Sequence, residues 1–288
     1  MKPFEYLEPK DLTEACALLS RYKHRAKLIA GGTDLLVSMK QQGVTPEYVI
    51  NIKVISDLDY VHYDKDGLRI GALATLSDIE SSPLVRERFP VLAEAAHQIA
   101  MPAIRNIATI GGNLCNAAPS ADMAPPLIGL GAKVKIVGLQ GERTVTAEEF
   151  FVGPGESALR DGEILTEIQV PNIPPHTGGV YLKMPARTAI DIALVGVAAL
   201  ITLDSKHASI VNAKIVLGAV APTPLRARKA EDVIIGKTVD DKLFEAAAQA
   251  AAQEAKPISD VRGSADYRRE MVKVFTRLAI REAIAKLA

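Results

Sequence analysis

The stretch TIGGNLCNAAPSADMAPPL, residues 109–127, joins a β-branched start to a Gly-Gly pair, two asparagines, an aspartate and a double proline. Its side chains are small almost throughout, so it buries little apolar area and cannot supply much of a core. Paired glycines instead let backbone N–H groups turn toward a ligand in conformations that a Cβ atom would forbid. The stretch therefore predicts a binding loop that contacts its ligand mainly through the backbone.

A second stretch of this kind lies upstream, where Ala30-Gly31-Gly32-Thr33-Asp34 follows a short apolar run. Neither stretch has the G-x-G-x-x-G spacing of a dinucleotide fingerprint, and the chain has no G-x-x-x-x-G-K-[ST] phosphate loop. Either motif alone is compatible with an ordinary strand-to-helix turn. Together they predict one extended ligand whose phosphates are held from two sides.

Three polar side chains near these motifs leave alternatives open. Asp122 suits the hydroxyls of a ribose or ribityl chain, and its alternative is the N-cap of a helix over residues 123–130. Lys183 lies on a predicted strand with Arg187 and Asp191 close behind, and its alternative is a solvated strand edge. Cys115, between two asparagines, is a packed small residue or a reactive thiol.

Composition excludes several classes of function. The 34 basic and 34 acidic residues cancel, which gives no general attraction to nucleic acid. No apolar run is long enough to cross a bilayer, and the start lacks the apolar region of a secretory signal. Two cysteines are too few for a four-thiolate iron–sulfur cluster and favour a reducing cytoplasm. The five scattered histidines predict no metal site.

The pattern of elements predicts an α+β fold in three parts. Residues 1–55 alternate strand and helix, which favours a small α/β unit with parallel pairing, its first helix capped by Asp11 or Thr13. Residues 56–175 predict an antiparallel sheet with helices packed against it. Residues 176–288 predict three strands followed by helices. The Pro- and Gly-rich residues 171–179 predict the linker before this last part.

These motifs strongly resemble those of the FAD-binding subunits of molybdenum hydroxylases. The resemblance rests on LIAGGTDLL (residues 28–36), on residues 109–127 and on the spacing of Lys183, Arg187 and Asp191. It extends to APTPLR (221–226) and RGSADYR (262–268), and so covers nearly the whole chain. It implies that the first two parts form a FAD-binding domain of the PCMH type, followed by the family's C-terminal domain with a three-stranded sheet and helices.

The resemblance also implies the residues that bind FAD. The first motif would wrap the diphosphate, the second would hold its other side, Asp122 would bind the sugar chain, and Leu165 and Lys183 would flank a ring. The implied cofactor-binding residues are Leu28, Ile29, Ala30, Gly31, Gly32, Thr33, Asp34, Leu35, Ala108, Thr109, Gly111, Gly112, Asn113, Asp122, Leu165 and Lys183. No residue of this chain is implied as a catalytic group or as a metal ligand.

The implied function is an electron outlet. A large molybdopterin subunit would oxidise the organic substrate, iron–sulfur clusters of a small subunit would carry the electrons, and this chain would pass them to NAD or a quinone. The family further implies a dimer of heterotrimers in the cytoplasm. Two alternatives remain open from the sequence: a stand-alone flavin-dependent reductase, and a non-catalytic assembly subunit.

Overall fold

The N-terminal part is a small parallel sheet with helices. Its elements are β1 (Glu5–Leu7), α1 (Leu12–Tyr22), β2 (Ala26–Ile29), α2 (Leu35–Gln41) and β3 (Tyr48–Asn51). In the computed structural model, which describes residues 1–41, 43–188 and 191–287, β1 and β2 flank β3 and both run parallel to it, as predicted. Asp11 rather than Thr13 caps α1, because its carboxylate accepts a 2.8 Å bond from the N–H of Glu14.

The middle part is built on an antiparallel sheet. Its strands are β4 (Val61–Asp64), β5 (Gly67–Gly71), β6 (Lys133–Gly138), β7 (Gly141–Thr146), the small hairpin β8 (Phe151–Gly153) with β9 (Glu156–Ser157), and β10 (Ile164–Pro171). The helices are α3 (Leu76–Ser81), α4 (Pro83–Arg88), α5 (Pro90–His97), α6 (Pro102–Arg105), α7 (Ile110–Cys115), α8 (Ala124–Leu130) and α9 (Ala147–Phe150). The sheet order is β4-β5-β10-β6-β7, which confirms the predicted antiparallel lobe.

The C-terminal part has one strand more than predicted. Its elements are β11 (Thr177–Pro185), β12 (Ala193–Leu203), β13 (Ile210–Gly218), β14 (Leu225–Arg226), α10 (Arg228–Ile234), α11 (Asp241–Glu254) and α12 (Ala265–Ala285). The predicted three-stranded sheet is thus corrected to four strands, because β14 pairs with β13. A strand of two residues is too short to show an alternating pattern in the sequence.

The predicted linker is also shorter than residues 171–179. Pro171 still pairs with Gly67 at the end of β10, and β11 already begins at Thr177. The connection is therefore residues 172–176, and the glycines that suggested a loop lie within β11. Gly178 is required there, since a Cβ atom would stand 1.9 Å from the carbonyl oxygen of Ala283 in α12.

Strand β12 packs on two cores at once. Successive side chains of a strand point to opposite faces, so the apolar run ALVGVAALITL presents one row of residues to each side. Ala198 and Leu200 join the core of the middle part, whereas Val197, Ala199 and Ile201 pack with the C-terminal helices. The middle and C-terminal parts consequently share one wall, and the Asp122–Lys183 pair described below lies along the same boundary.

Candidate functional site

The two glycine motifs lie against each other. A Cβ atom at Gly31 would stand 2.0 Å from the carbonyl oxygen of Ile107, a distance at which no side chain fits. Ile107 leads directly into Thr109, the N-cap of α7. Gly31 is therefore required where the 30–35 loop (residues 30–35) crosses the entry to α7. The fold thus brings together two motifs that lie far apart in the sequence.

The glycine pair at the start of α7 serves the fold itself. The N–H of Gly111 donates to the carbonyl of Ala72 at 2.9 Å, and the N–H of Gly112 donates to Oγ1 of Thr109 at 3.0 Å. A Cβ atom at Gly111 would stand 2.6 Å from that Ala72 oxygen, so this glycine lets α7 pack against the end of β5. Because both N–H groups are engaged within the protein, the backbone donors for a ligand must come from the other motif.

The 30–35 loop keeps such donors free. In the described part of the chain, the N–H groups of residues 31–35 have no hydrogen-bond acceptor, and the first helical bond runs from the N–H of Leu36 to the carbonyl of Gly32 at 3.0 Å. Gly32 has a φ of +73°, in the left-handed region that favours glycine. Successive free N–H groups in such a turn form a concavity that suits an anion such as a diphosphate.

Asn113 places an unpaired acceptor in the same motif. Its Oδ1 atom is buried and has no hydrogen-bond partner among the described residues. A buried polar atom without a partner costs about 1–3 kcal/mol, so proteins seldom retain one without a reason. A hydroxyl or an N–H group of a ligand would satisfy this oxygen. The residues present at this site therefore suit a ligand that carries phosphates together with hydroxyl or imide donors, as FAD does.

Asp122 and Lys183 form a buried ion pair between the middle and C-terminal parts. Nζ of Lys183 lies 2.9 Å from Oδ2 of Asp122, and the hydroxyl of Tyr181 donates to Oδ1 at 2.6 Å. The side chains of the pair are only 8% and 3% exposed. Burial raises the pKa of Asp122, although Lys183 and the hydroxyl of Tyr181 both stabilise its ionised form. The pair can orient a polar ligand group that approaches it.

This geometry decides the alternatives that the sequence left open. Helix α8 begins at Ala124 with Met123 at its N-cap, so Asp122 is not a capping residue. Lys183 is buried, so it is not a solvated strand edge. Cys115 is partly buried against the middle core, and burial raises the pKa of its thiol to about 12. Cys115 is therefore a packed residue rather than a reactive thiol.

The remaining predicted residues surround or support these groups. Leu28 and Ala30 pack in the N-terminal core, and Ala108 and Leu165 pack in the middle core. Asp34 is exposed, and all the other predicted members of the first motif are partly buried. Leu165 is 3% exposed within β10, so only a small part of its side chain is open to a ligand.

Sequence reasoning missed two residues that hold the Asp122–Lys183 pair in place. Tyr181 shares a face of β11 with Lys183, two positions away, so the period of the strand could have identified it. The carbonyl of Gln98 accepts a 2.9 Å bond from Nζ of Lys183, and its side chain donates to the carbonyl of Tyr181 at 3.1 Å. Nothing in the sequence pairs Gln98 with a residue so far along the chain.

Comparison with known proteins identifies the family. A model described as the FAD binding domain in molybdopterin dehydrogenase matches residues 2–173, and one described as the CO dehydrogenase flavoprotein C-terminal domain matches residues 180–283. The chain belongs to the FAD-binding subunits of the molybdenum hydroxylases. FAD is the cofactor of this family, and the predicted α+β fold with a PCMH-type FAD-binding domain is confirmed.

Several relatives match this subunit over nearly its whole length. It is 37% identical over 285 residues to the carbon monoxide dehydrogenase medium chain of Hydrogenophaga pseudoflava, covering 99% of this chain and 98% of the relative. It is 34% identical over 282 residues to the xanthine dehydrogenase FAD-binding subunit of Escherichia coli O157:H7, covering 97% and 96%.

Solved structures show the same agreement. Carbon monoxide dehydrogenase from Hydrogenophaga pseudoflava, in a form lacking the Mo-pyranopterin moiety, superposes with a TM-score of 0.96 at 38% identity, covering 100% of both chains. Quinoline 2-oxidoreductase from Pseudomonas putida 86 superposes with a TM-score of 0.93 at 30% identity, covering 100% of this chain and 99% of the other. Across the described ranges of this subunit, no helix is both long and apolar enough to span a bilayer.

Proposed function

We propose that this subunit holds FAD between the 30–35 loop and the start of α7, and that it is the electron outlet of a molybdenum hydroxylase complex. The proposal rests on the row of free N–H groups of residues 31–35. This row lies against the start of α7, the helix on which Asn113 has its buried, unpaired Oδ1 atom. When bound, FAD supplies the exchange between one-electron donors and a two-electron acceptor.

Some of the predicted residues take a direct role in this proposal. The free N–H groups of the 30–35 loop bind the diphosphate, and Asn113 accepts from a hydroxyl or imide group. Asp122 and Lys183 face the polar end of the cofactor, with Tyr181 and Gln98 holding them in place. The complete proposed set is Leu28, Ile29, Ala30, Gly31, Gly32, Thr33, Asp34, Leu35, Ala108, Thr109, Gly111, Gly112, Asn113, Asp122, Leu165 and Lys183.

The proposed assembly contains a small iron–sulfur subunit and a large molybdopterin subunit, two copies of each with two copies of this chain. NAD or a quinone accepts the electrons. The proposed partners, assembly and acceptor rest on the family. The cytoplasmic location and the division into residues 1–55, 56–175 and 176–288 rest on it too, although residue 288 lies outside the described residues. The two unpaired cysteines suit a reducing compartment.

Flavin binding tests the first half of the proposal. We expect the purified chain to retain FAD through gel filtration, with the absorption spectrum of an oxidised flavin, or to bind added FAD with quenching of its fluorescence. A colourless chain that takes up no FAD would contradict the proposal and favour a non-catalytic assembly subunit.

Electron transfer tests the second half. The small and large partner subunits are added in turn to the FAD-loaded chain, together with the substrate of the large subunit. We expect the flavin to bleach only when both partners are present, and to recover its colour when NAD or a quinone is added. If a reduced nicotinamide bleached the flavin of the isolated chain and an organic acceptor then restored its colour, the chain would instead be a stand-alone reductase.

A further inference from the structure

Arg105 occupies an unusual position next to the proposed FAD site. It is 5% exposed and lies at the end of α6, four residues before the N-cap Thr109. Its guanidinium group forms a two-point contact with Glu80, at 2.6 Å from Nε to Oε2 and 3.2 Å from Nη2 to Oε1. Such forked pairs hold a guanidinium group in one plane. Arg105 therefore presents its remaining donors in a fixed direction.

Those donors point to the backbone of the preceding loop, the 98–101 loop (residues 98–101). Nη1 of Arg105 donates to the carbonyl of Ile99 at 3.1 Å and to the carbonyl of Ala100 at 3.0 Å. Ala100 has a φ of +45°, a left-handed conformation that is unfavourable for a residue with a Cβ atom. A strained residue of this kind persists only where its surroundings hold it in place. Here the two carbonyl contacts of Arg105 do so.

The other side of the 98–101 loop contacts the proposed FAD site. The carbonyl of Gln98 accepts from Nζ of Lys183, and the amide of its side chain donates to the carbonyl of Tyr181. Lys183 in turn binds Asp122. A continuous path of charged and polar contacts thus runs from the Glu80–Arg105 pair through the loop to the Asp122–Lys183 pair.

We propose that Arg105 is a positioning residue for the FAD site, which fixes the strained 98–101 loop so that Gln98 holds Lys183 beside Asp122. The inference rests on the proposed function, because it concerns the geometry of the same site. Arg105 does not touch the ligand in this account, and it acts only through the loop. A lysine keeps the charge, but its single nitrogen atom cannot reproduce the planar fork that Arg105 makes to Glu80.

The experiment compares FAD affinity in matched variants of the full chain. We expect Arg105→Lys to weaken FAD binding about tenfold, the loss that corresponds to one misplaced polar contact. Arg86→Lys is the control, because the exposed Arg86 also contacts Glu80, by donating to the backbone carbonyl of Glu80. Glu80→Gln keeps an acceptor but weakens the forked contact, so we expect a smaller loss of FAD affinity. This variant tests the same contact if Arg105→Lys does not fold.

A rescue separates positioning from general stability. Glycine adopts a positive φ without strain, so adding Ala100→Gly to Arg105→Lys should restore most of the lost FAD affinity. Ala103→Gly, at an exposed position of α6, should restore none. We also expect the visible spectrum of the bound flavin to change in Arg105→Lys and to recover with Ala100→Gly.

Three results would overturn the inference while leaving the proposed function intact. The first is an FAD affinity of Arg105→Lys equal to that of the wild type. The second is an affinity loss of equal size in Arg86→Lys. The third is a loss that neither glycine restores, which would mean that Arg105 acts through the fold as a whole. Failure of the wild-type chain to bind FAD would instead contradict the proposed function itself.

Discussion

Asn113 shows what one residue can reveal about a site. Its buried Oδ1 has no partner within the described residues, so the free protein carries a cost that a bound ligand would remove. Removing the side chain removes that cost as well. Asn113→Ala should therefore leave the free energy of unfolding of the flavin-free chain unchanged or higher, while FAD affinity falls about tenfold, as expected for one lost hydrogen bond.

Thermal unfolding with and without FAD, and a fluorescence titration, measure the two effects. Asn116→Ala is the matched control, since Asn116 lies on the same motif but is exposed. It should change neither the melting temperature nor the affinity appreciably. If Asn113→Ala bound FAD as tightly as the wild type, Asn113 would have no role in binding.

The two cysteines provide a test of packing at the same scale. Burial raises the pKa of both thiols, that of Cys115 to about 12, so the thiolate fraction of each is very small at pH 8. We expect slow reaction of the folded chain with a thiol-specific chromogenic disulfide, and rapid reaction of both cysteines in denaturant. Rapid labelling of Cys115 itself in the folded chain, located by peptide mass spectrometry, would show that it is a reactive thiol after all.

Whole elements were largely predictable, because their signals are local. The parallel N-terminal unit, the antiparallel middle sheet and the long C-terminal helices all follow from the spacing of apolar residues. The errors were local as well. Strand β14 is too short to show a period, and the glycines at 178 and 179 pair with β12, with Gly178 required because α12 packs closely against it. Close contact between distant elements has no signature in a single sequence.

The site was predictable to the level of motifs and no further. Two glycine stretches indicated a phosphate-bearing ligand, and the structure brings them together. Which glycine turns toward a ligand and which packs against a neighbour depends on where Ile107 and Ala72 come to lie. The partners of Lys183 also come from distant elements, since Gln98 ends α5 and Asp122 precedes α8. Sequence spacing cannot supply such contacts.

Within the middle sheet, Glu167 gives an element-scale prediction. Its carboxylate on β10 accepts from the hydroxyl of Tyr60 at 2.6 Å and pairs with Arg69 on β5 at 3.1 Å. Burial alone would raise the pKa of Glu167, but these bonds outweigh it and lower the pKa below the usual value of 4.5. A lowered pKa in the folded state means that the stabilisation is present above pH 4.5 and is lost as the pH falls further.

Glu167→Gln should therefore lower the free energy of unfolding at neutral pH, and the difference from the wild type should disappear in acid. Urea unfolding of wild type and variant from pH 7 down to about pH 3 measures it. The gap between their free energies of unfolding should narrow as the pH falls below 4.5. The exposed Glu87, changed to Gln, is the control and should show no gap. A gap that stays constant down to about pH 3 would mean that the ionised carboxylate is not responsible.

At the scale of the whole molecule, the boundary between the middle and C-terminal parts contains both core packing and a buried ion pair of the proposed site. Strand β12 contributes to the cores on both sides, and the Asp122–Lys183 pair crosses the same boundary. A second ion pair, Glu94–Lys286, also crosses it, but its side chains are 39% and 37% exposed. The two pairs allow a buried and an exposed contact between the same parts to be compared directly.

Lys183→Met should destabilise the flavin-free chain by about 3–5 kcal/mol, because it leaves the Asp122 carboxylate buried without its cation. Lys286→Met should cost less than about 1 kcal/mol, as is usual for exposed pairs.

The loss in Lys183→Met should also depend on pH. The pKa of Asp122 is already raised by burial, and losing Lys183 raises it further, so stability falls as the pH rises through that value. The variant should thus be closer to wild type at about pH 5 than at pH 8. Urea unfolding of both variants at the two pH values measures this, and equal losses at both positions would show that burial does not govern the contribution of Lys183.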